Sequence, residues 1–533
     1  MDAHCINYAD TGFFSKTITD YLDNNPDLAQ FYGYRPTFDG FAELIKTKKP
    51  LASRDVLADV LTEQYAKISD IGFPISDLVS ANIDSLAADN TYTITTGHQL
   101  NIFTGPLYFI FKIATAIKLS RQLKERFPDK NFVPVYWMAS EDHDFAEINH
   151  TNASGKKIEW PMEAAGATGR LSTKTIRQAL NQYKGVLGLE GNAPQLAEIV
   201  ETAYTKFDKL ADAMRYLVSA LFGQYGLVIV DADDTRLKQQ FTTIIEQDII
   251  GQHSFKNISD SNAALQKLGV HIQVNPREIN FFYLLDGLRE RIVFENNIYE
   301  VLGSDIRFTE AELRTEIQQH PERFSPNVVM RPLYQEVILP NLAYIGGGAE
   351  IVYWLELKSN FDHYHIDFPI LILRNSGLIV HKEAVANLKK MGFPVANLFN
   401  STDDLKTAWV KLHTEKDLNL NTEWHDILTV FEKIKAHAAD IDTTLAPSTD
   451  AIRARLKHAI ENLERKMLKA EKRNHETRLV QIDNIKQTLF PKGSLQERTE
   501  NVGPFYVKYG QQLIDDLIEK FEPLDFKFTV LTE

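Results

Sequence analysis

A single cysteine, Cys5, is all that the 533 residues hold. That excludes an internal disulfide framework and any zinc site built on several thiolates. Positive charge is also short: 58 Lys and Arg stand against 72 Asp and Glu, a formal net charge of -14. Such a balance excludes a general nucleic-acid binder, whose phosphate contacts need a basic surface. An anionic substrate would have to be met by locally clustered Lys and Arg. No apolar run is long enough to cross a bilayer, so no membrane partner is expected. The start, MDAHCINYADTGFF, has no basic stretch followed by an apolar one. No secretory signal is therefore expected, and the expected location is the cytoplasm. What remains is globular, 44% hydrophobic and 11% aromatic, in a chain too long for one ordinary core.

The chain is organised around TITTGHQLNIFTGPLYFIFKIATAIKL, Thr93 to Leu119. The β-branched and aromatic residues of Thr91 to Thr96 predict a strand ended by Gly97. Gly105 and Pro106 predict the opening of a helix, with Pro106 near its first position. Dense apolar residues from Leu107 to Leu119 predict that this helix is buried. Strand, glycine turn and buried helix open a parallel α/β sheet, and ligands of such sheets sit where strand gives way to helix. His98, Gln99 and Asn101 occupy that turn, with Tyr108 and Lys112 just inside the helix. Free N–H groups at the helix start would favour an anion.

Phe132 to Ala139 is a continuous apolar run, as expected of a strand covered on both faces. Its end delivers Glu141, Asp142, His143 and Asp144, then Glu147 and His150. Carboxylates beside a histidine can tune one another for acid–base work. The spacing fits no standard zinc motif, so hydrogen bonding is the expected role and no metal is expected. GLVIVDADD, 226 to 234, repeats the pattern of a buried strand ending in acids and supports a doubly wound sheet. Segments near 151–225 and 251–325 read as insertions, the second carrying strands in FFYLLDGLRERIVF.

Further along, Arg331 precedes a proline and Gln335 lies in the short helix that follows. Tyr344 leads into a triple-glycine turn with Gly346 and Gly347, and Glu350 opens another helix. The turn lacks a P-loop ending, yet beside Arg331 it marks a place where backbone can approach a ligand. FPILILRNSGLIV predicts one more buried strand bearing Arg374 and Asn375, an arginine being suited to holding a carboxylate.

The organisation expected is a helical segment over 1–90, a catalytic core over 91–400, a hairpin over 420–490 and a return to the core over 491–533. In the hairpin, Trp424, Ile427, Phe431, Ile434, Ala438, Ile441 and Leu445 recur at heptad spacing. Pro447 is expected to break this helix. Leu456, Ile460, Leu463, Met467 and Ala470 continue the pattern in a second arm, and Leu479 to Leu489 extend it. That surplus predicts packing on the core or on a second subunit.

These stretches together resemble the cysteine-adding enzymes of bacillithiol biosynthesis, the BshC cysteine ligases. The matching segments are TGHQLNIFTGPLYFIFK, VPVYWMASEDHDFAEINH, RPLYQEVILPNLAYIGGGAEIVYW, LILRNS and LFPKGSLQER. His98 stands where many members carry a second glutamine, and Gly348 where proline usually follows the glycine pair. The resemblance implies a Rossmann-like parallel core sheet with inserted connecting segments, plus a C-terminal antiparallel coiled coil that joins a homodimer. It implies transfer of L-cysteine onto the amine of glucosaminyl-malate. The cysteine carboxyl must then be activated, and ATP is the natural activator, through an acyl-adenylate or acyl-phosphate. The expected catalytic residues are His98, Gln99, Asp142 and His143, with Lys112, Arg331 and Arg374 for the malate carboxylates. Two other classes fit the residues alone: a synthetase-like enzyme for another amino acid, and a coiled-coil scaffold with a relict pocket.

Overall fold

The β-branched run TYTITTGH forms a strand, β1 (Thr91–His98), at the centre of a five-stranded sheet. Its fellows are β2 (Asn131–Met138), β3 (Val228–Asp231), β4 (Asn341–Gly346) and β5 (Ile370–Leu373). All pair in parallel in the order β3-β2-β1-β4-β5. This is a doubly wound, Rossmann-like sheet, and its switch of direction falls between β1 and β4, where a crevice opens at the strand ends. The threonines of β1 are buried yet satisfied: Thr93 and Thr95 donate to Asn341 Oδ1 at 3.1 and 2.8 Å, and Thr96 to Ile345 O at 2.9 Å. Ile94, Leu119, Leu342, Ile345, Ile370 and Ile372 make the core beneath.

Helix α1 (Tyr108–Arg126) follows β1, α2 (Arg331–Ile338) precedes β4, and α3 (Gly348–His363) follows it. The strand runs one residue past Gly97, a tight turn over Ile102–Thr104 follows, and α1 starts two residues after Pro106. Phe103 and Thr104 lie there at φ 53° and 70°, uncommon for residues with a Cβ. The turn is held by its surroundings. Phe103 stacks on Tyr183 at 4.4 Å, and the Asn501 amide donates to Phe103 O and Gly105 O, both at 2.7 Å. The start of α1 is also less open than the sequence predicts, since Leu107 N–H already donates to Glu500 O at 2.7 Å.

The structure, a computed structural model, describes residues 1–533. They form two units, chiefly 3–378 with 496–531, and 379–495. Within the first, a second sheet is inserted between β3 and β4. It is antiparallel, in the order Arg307–Phe308, Ile298–Val301, Leu288–Glu295, Phe281–Leu285, Phe324–Pro326. The N-terminal segment is helical apart from a strand over Asp2–Asn7, which carries the exposed Cys5. The single strand expected in FPILILRNSGLIV is two, β5 and Gly377–Val380, because Arg374 to Ser376 turn inward and are buried.

The second unit contains α4 (Thr402–His413), α5 (Asn421–Ile441), α6 (Leu445–Asn474) and α7 (Glu476–Leu489). Helices α5 and α6 form the antiparallel hairpin. Lys435 to Asp450 at 2.7 Å, Arg453 to Glu432 at 2.8 Å and Leu420 N to Glu464 at 2.7 Å set its register. Two expectations change here. Asp442, in extended backbone, ends the first arm, so Leu445 belongs to the second and Pro447 sits harmlessly in its first turn. The surplus stripe Leu479, Ile482, Ile485 and Leu489 is buried within its own unit, where α7 packs on α4 with its buried Leu405, Trp409 and Val410.

Candidate functional site

A cavity of about 710 Å³ opens at the carboxyl ends of β1, β2 and β4, at the switch point of the sheet. The end of β1 brings Gly97, His98 and Gln99 to its wall, and α1 adds Tyr108 and Lys112. From the end of β2 come Glu141, Asp142 and His143, and from the other side Arg331, Tyr344 and Glu350. Stretches far apart in the chain thus meet at one place.

Lys112 is buried, and its ammonium is matched. Glu350 Oε1 lies 2.6 Å from Nζ, and Gly97 O accepts at 2.8 Å. Burial draws the lysine pKa down against the opposing pull of Glu350. Glu350 also accepts from Tyr344 OH at 2.8 Å and from Gly347 N–H at 3.1 Å, capping α3. Burial would raise its pKa, but Lys112 and these donors hold it below the ordinary carboxylate value. The pair is a fixed, largely neutralised post across the crevice.

Arg331 is placed differently. Its guanidinium lies between the Trp137 and Tyr344 rings, 5.8 and 5.6 Å from their centroids. Nη1 donates to Gln335 Oε1 at 2.9 Å, while Nη2 is buried with no partner. The His98 ring stacks on Phe109 at 4.7 Å and its Nε2 is buried and unpaired. Burial, then Lys112 and Arg374, hold its pKa well below the ordinary value, so the imidazole is neutral. It can exchange a hydrogen bond with a ligand but carries no charge to one.

Beside these donors sits an acidic group fixed by an amide. Gln99 Nε2 donates to Asp142 Oδ2 at 2.7 Å and to Glu147 Oε2 at 2.6 Å. Asp142 Oδ1 also accepts from the backbone N–H of His143 at 2.7 Å. His143 Nδ1 meets Arg289 Nη1, and since a guanidinium only donates, Nδ1 is the acceptor. Glu141 is ion-paired with the fully buried Lys238, so its charge is matched within the protein.

Other sequence-predicted residues lie outside the cavity wall. Arg374 pairs with Glu497 at 2.7 Å, both buried, and donates to Ser376 Oγ at 3.0 Å. Its charge is matched internally, although it lies over the Tyr108 ring at 5.1 Å. Asn375 bonds Thr115 and Glu522 O. Asn101 donates to Glu147 O at 3.0 Å, and Asp144 caps the short helix Phe145–Ile148. Gln335 is buried, accepting from Arg331 and donating to Glu336. Gly346 and Gly347 pack against Glu350, where a Cβ on Gly346 would come within 3.0 Å of its Cβ. These residues support the wall without forming it.

The inserted sheet and the loop that leads into it supply a side of the cavity that the sequence does not reveal: Arg277 from the loop, and Phe282, Arg289 and Arg291 from the strands. Arg289 and Arg291 are two apart in one strand and so share a face. That spacing was the available signal. Tyr353, three residues after Glu350 on α3, also lines the cavity. No group of three or more His, Cys, Asp or Glu side chains is disposed to hold a metal. No helix is long and apolar enough to cross a membrane.

Residues 1–375 match the family model described as Bacillithiol biosynthesis BshC, N-terminal Rossmann-like domain. Residues 377–533 match that described as Bacillithiol biosynthesis BshC, C-terminal coiled-coil domain. A protein of Flavobacterium psychrophilum named "Putative cysteine ligase BshC" is 43% identical, over 100% of this chain and 99% of its own. Proteins of the same name from Flavobacterium johnsoniae and Bacillus cereus are 43% and 26% identical. These alignments cover 100% and 94% of this chain, and 100% and 95% of theirs.

Proposed function

Since the chain belongs to the BshC family of bacillithiol biosynthesis, we propose that it is a ligase joining L-cysteine to the amine of glucosaminyl-malate. The observation that carries this reading is the Gln99 bridge between Asp142 and Glu147 on the wall of the cavity. An amine nucleophile arrives as an ammonium and must lose a proton before it attacks. A fixed carboxylate pair both attracts the ammonium and takes the proton. Asp142 and Glu147 are the proposed base and its partner. His143, with Nδ1 engaged by Arg289, acts as a hydrogen-bond donor through Nε2. His98 and Arg331 Nη2 offer unmet bonds to the oxygen on which charge develops as the carbonyl is attacked.

A free carboxylate does not acylate an amine in water, so the cysteine carboxyl needs activation, and ATP is the proposed cosubstrate. We place the protein in the cytoplasm as a homodimer joined through its hairpin. The test combines purified protein, L-cysteine, ATP and glucosaminyl-malate, with mass spectrometry of the products. Cysteinyl-glucosaminyl-malate is expected from the wild type and not from Asp142→Asn of equal melting temperature. No product from the wild type, together with normal thiol content in a strain lacking the protein, would sink the reading.

A further inference from the structure

Four arginines line the cavity: Arg331 from α2, and Arg277, Arg289 and Arg291 from the inserted segment. In a chain of net charge -14, not one of them has a carboxylate within ion-pairing distance, whereas Lys112, Lys238 and Arg374 nearby are each matched. Arg289 is 8% exposed and carries the sharpest imbalance. Its bonds go to neutral groups only: Ser325 Oγ at 3.0 Å, Pro326 O at 3.3 Å and the His143 ring. Its planar face lies 4.0 Å from the Phe282 centroid. Glu141 and Asp142 act on Arg289 only from beyond ion-pairing distance. A buried cation with no carboxylate in contact is costly, and so is a buried guanidinium N–H without an acceptor, as at Arg331 Nη2. Both costs are relieved by an anion entering the cavity.

The geometry points to the inserted segment as the anion-recognition side of this site, with Arg289 and Arg291 on its sheet, Arg277 on the loop before it and Arg331 completing it from the core. The ligand chemistry is a group rich in oxyanions. On the reading above, on which this rests, two sources exist: the paired carboxylates of the amine substrate, or the phosphates of the activating nucleotide. The backbone of Arg277 is held in place by Asn280. Its backbone N–H donates to Asn280 Oδ1 at 3.1 Å and its C=O accepts from Asn280 Nδ2 at 2.7 Å. The same segment is tied to α3 by Glu356, which accepts from Gln273 N–H at 2.8 Å and Val274 N–H at 3.2 Å. Opposite charges thus occupy different segments of the wall, Asp142 and Glu147 after β2 and the arginines on the insertion.

Calorimetric titration of the full-length protein with L-malate, and separately with inorganic triphosphate, tests the assignment without requiring turnover. At least one probe is expected to bind the wild type. Arg289→Gln and Arg277→Gln should each weaken that binding about tenfold or more, as expected for loss of a charge-assisted contact. Arg277 is exposed and Arg291 half-buried, so Arg277→Gln and Arg291→Gln decide the matter if Arg289→Gln fails to fold. Loss of malate binding assigns the face to the substrate carboxylates, and loss of triphosphate binding assigns it to the nucleotide. Binding of neither probe to the wild type, or equal binding by wild type and folded variants, overturns the assignment. A protein that binds malate through these arginines but makes no cysteinyl product would refute the proposed reaction and leave the assignment standing.

Discussion

Two arginines that look alike in the sequence, each at the edge of a turn, have opposite surroundings. Arg331 lies on the cavity wall between two aromatic rings with Nη2 unpaired. Arg374 is buried and paired with Glu497, itself fully buried. Their alanine variants should therefore fail in different ways. Arg331→Ala should lower kcat/KM by about 2–5 kcal/mol, the range for losing one partner of a buried charged contact, with little change in melting temperature. An unchanged kcat/KM would remove Arg331 from the site. Arg374→Ala leaves the Glu497 carboxylate buried and unmatched, and should cost about 3–5 kcal/mol in urea unfolding. A stable Arg374→Ala protein would show that water reaches Glu497 or that the pair is dispensable. The sequence could not separate these residues, because Glu497 lies 123 positions from Arg374 and only the fold joins them.

At the scale of elements, the legible parts were those with local causes. The β-branched run of β1, the apolar run of β2 and the dense apolar face of α1 each fix their own conformation, and their ends place Gln99, Asp142 and Lys112 together. The inserted sheet was legible as strands in FFYLLDGLRERIVF, but which cavity its basic face lines is a tertiary fact, so Arg289 was missed. What fixes that segment to the core is also non-local: Glu356 on α3, holding two backbone N–H groups. Burial raises the Glu356 pKa to about 7, against the lowering effect of those two bonds. The folded state then binds the proton more tightly than the unfolded chain. Its contribution to stability is full below the unfolded value near 4.5 and is lost as pH rises through about 7. Urea unfolding at pH 5 and pH 8 should show a loss on the order of 1–2 kcal/mol in the wild type that Glu356→Gln lacks. Parallel pH profiles of the two proteins would contradict the assignment.

At the scale of the whole molecule, the second unit leaves apolar surface uncovered, including heptad positions of the hairpin itself, Ile434, Ile441, Leu445 and Leu463. With the Leu479 to Leu489 stripe already buried in its own unit, any need for a second chain must arise elsewhere. The hairpin is where apolar side chains stay exposed. Val430, Ile434 and Ile441 on α5 are 54, 47 and 83% exposed, and Leu445, Ile452 and Leu463 on α6 are 41, 49 and 50% exposed. Spacings of four, seven and eleven put each trio on one side of its helix. No residue of α5 is fully buried, so the intrachain seam consumes only part of the apolar positions. The register set by Lys435–Asp450 and Arg453–Glu432 brings Ile434 and Ile452 close along the two arms. An exposed apolar strip along each of two paired helices is seldom left in water, and a two-fold partner would cover it with its own copy. The expected state is a homodimer through this strip. Ile434→Asp with Ile452→Asp should abolish it, because each dimer would bury four unpaired carboxylates. Both positions are half exposed in the single chain, so the hairpin itself should survive, and the helical signal in circular dichroism should be unchanged. Sedimentation across a micromolar concentration range decides the matter: a wild type that remains monomeric, or a double variant that dimerises as well as the wild type, places the interface elsewhere.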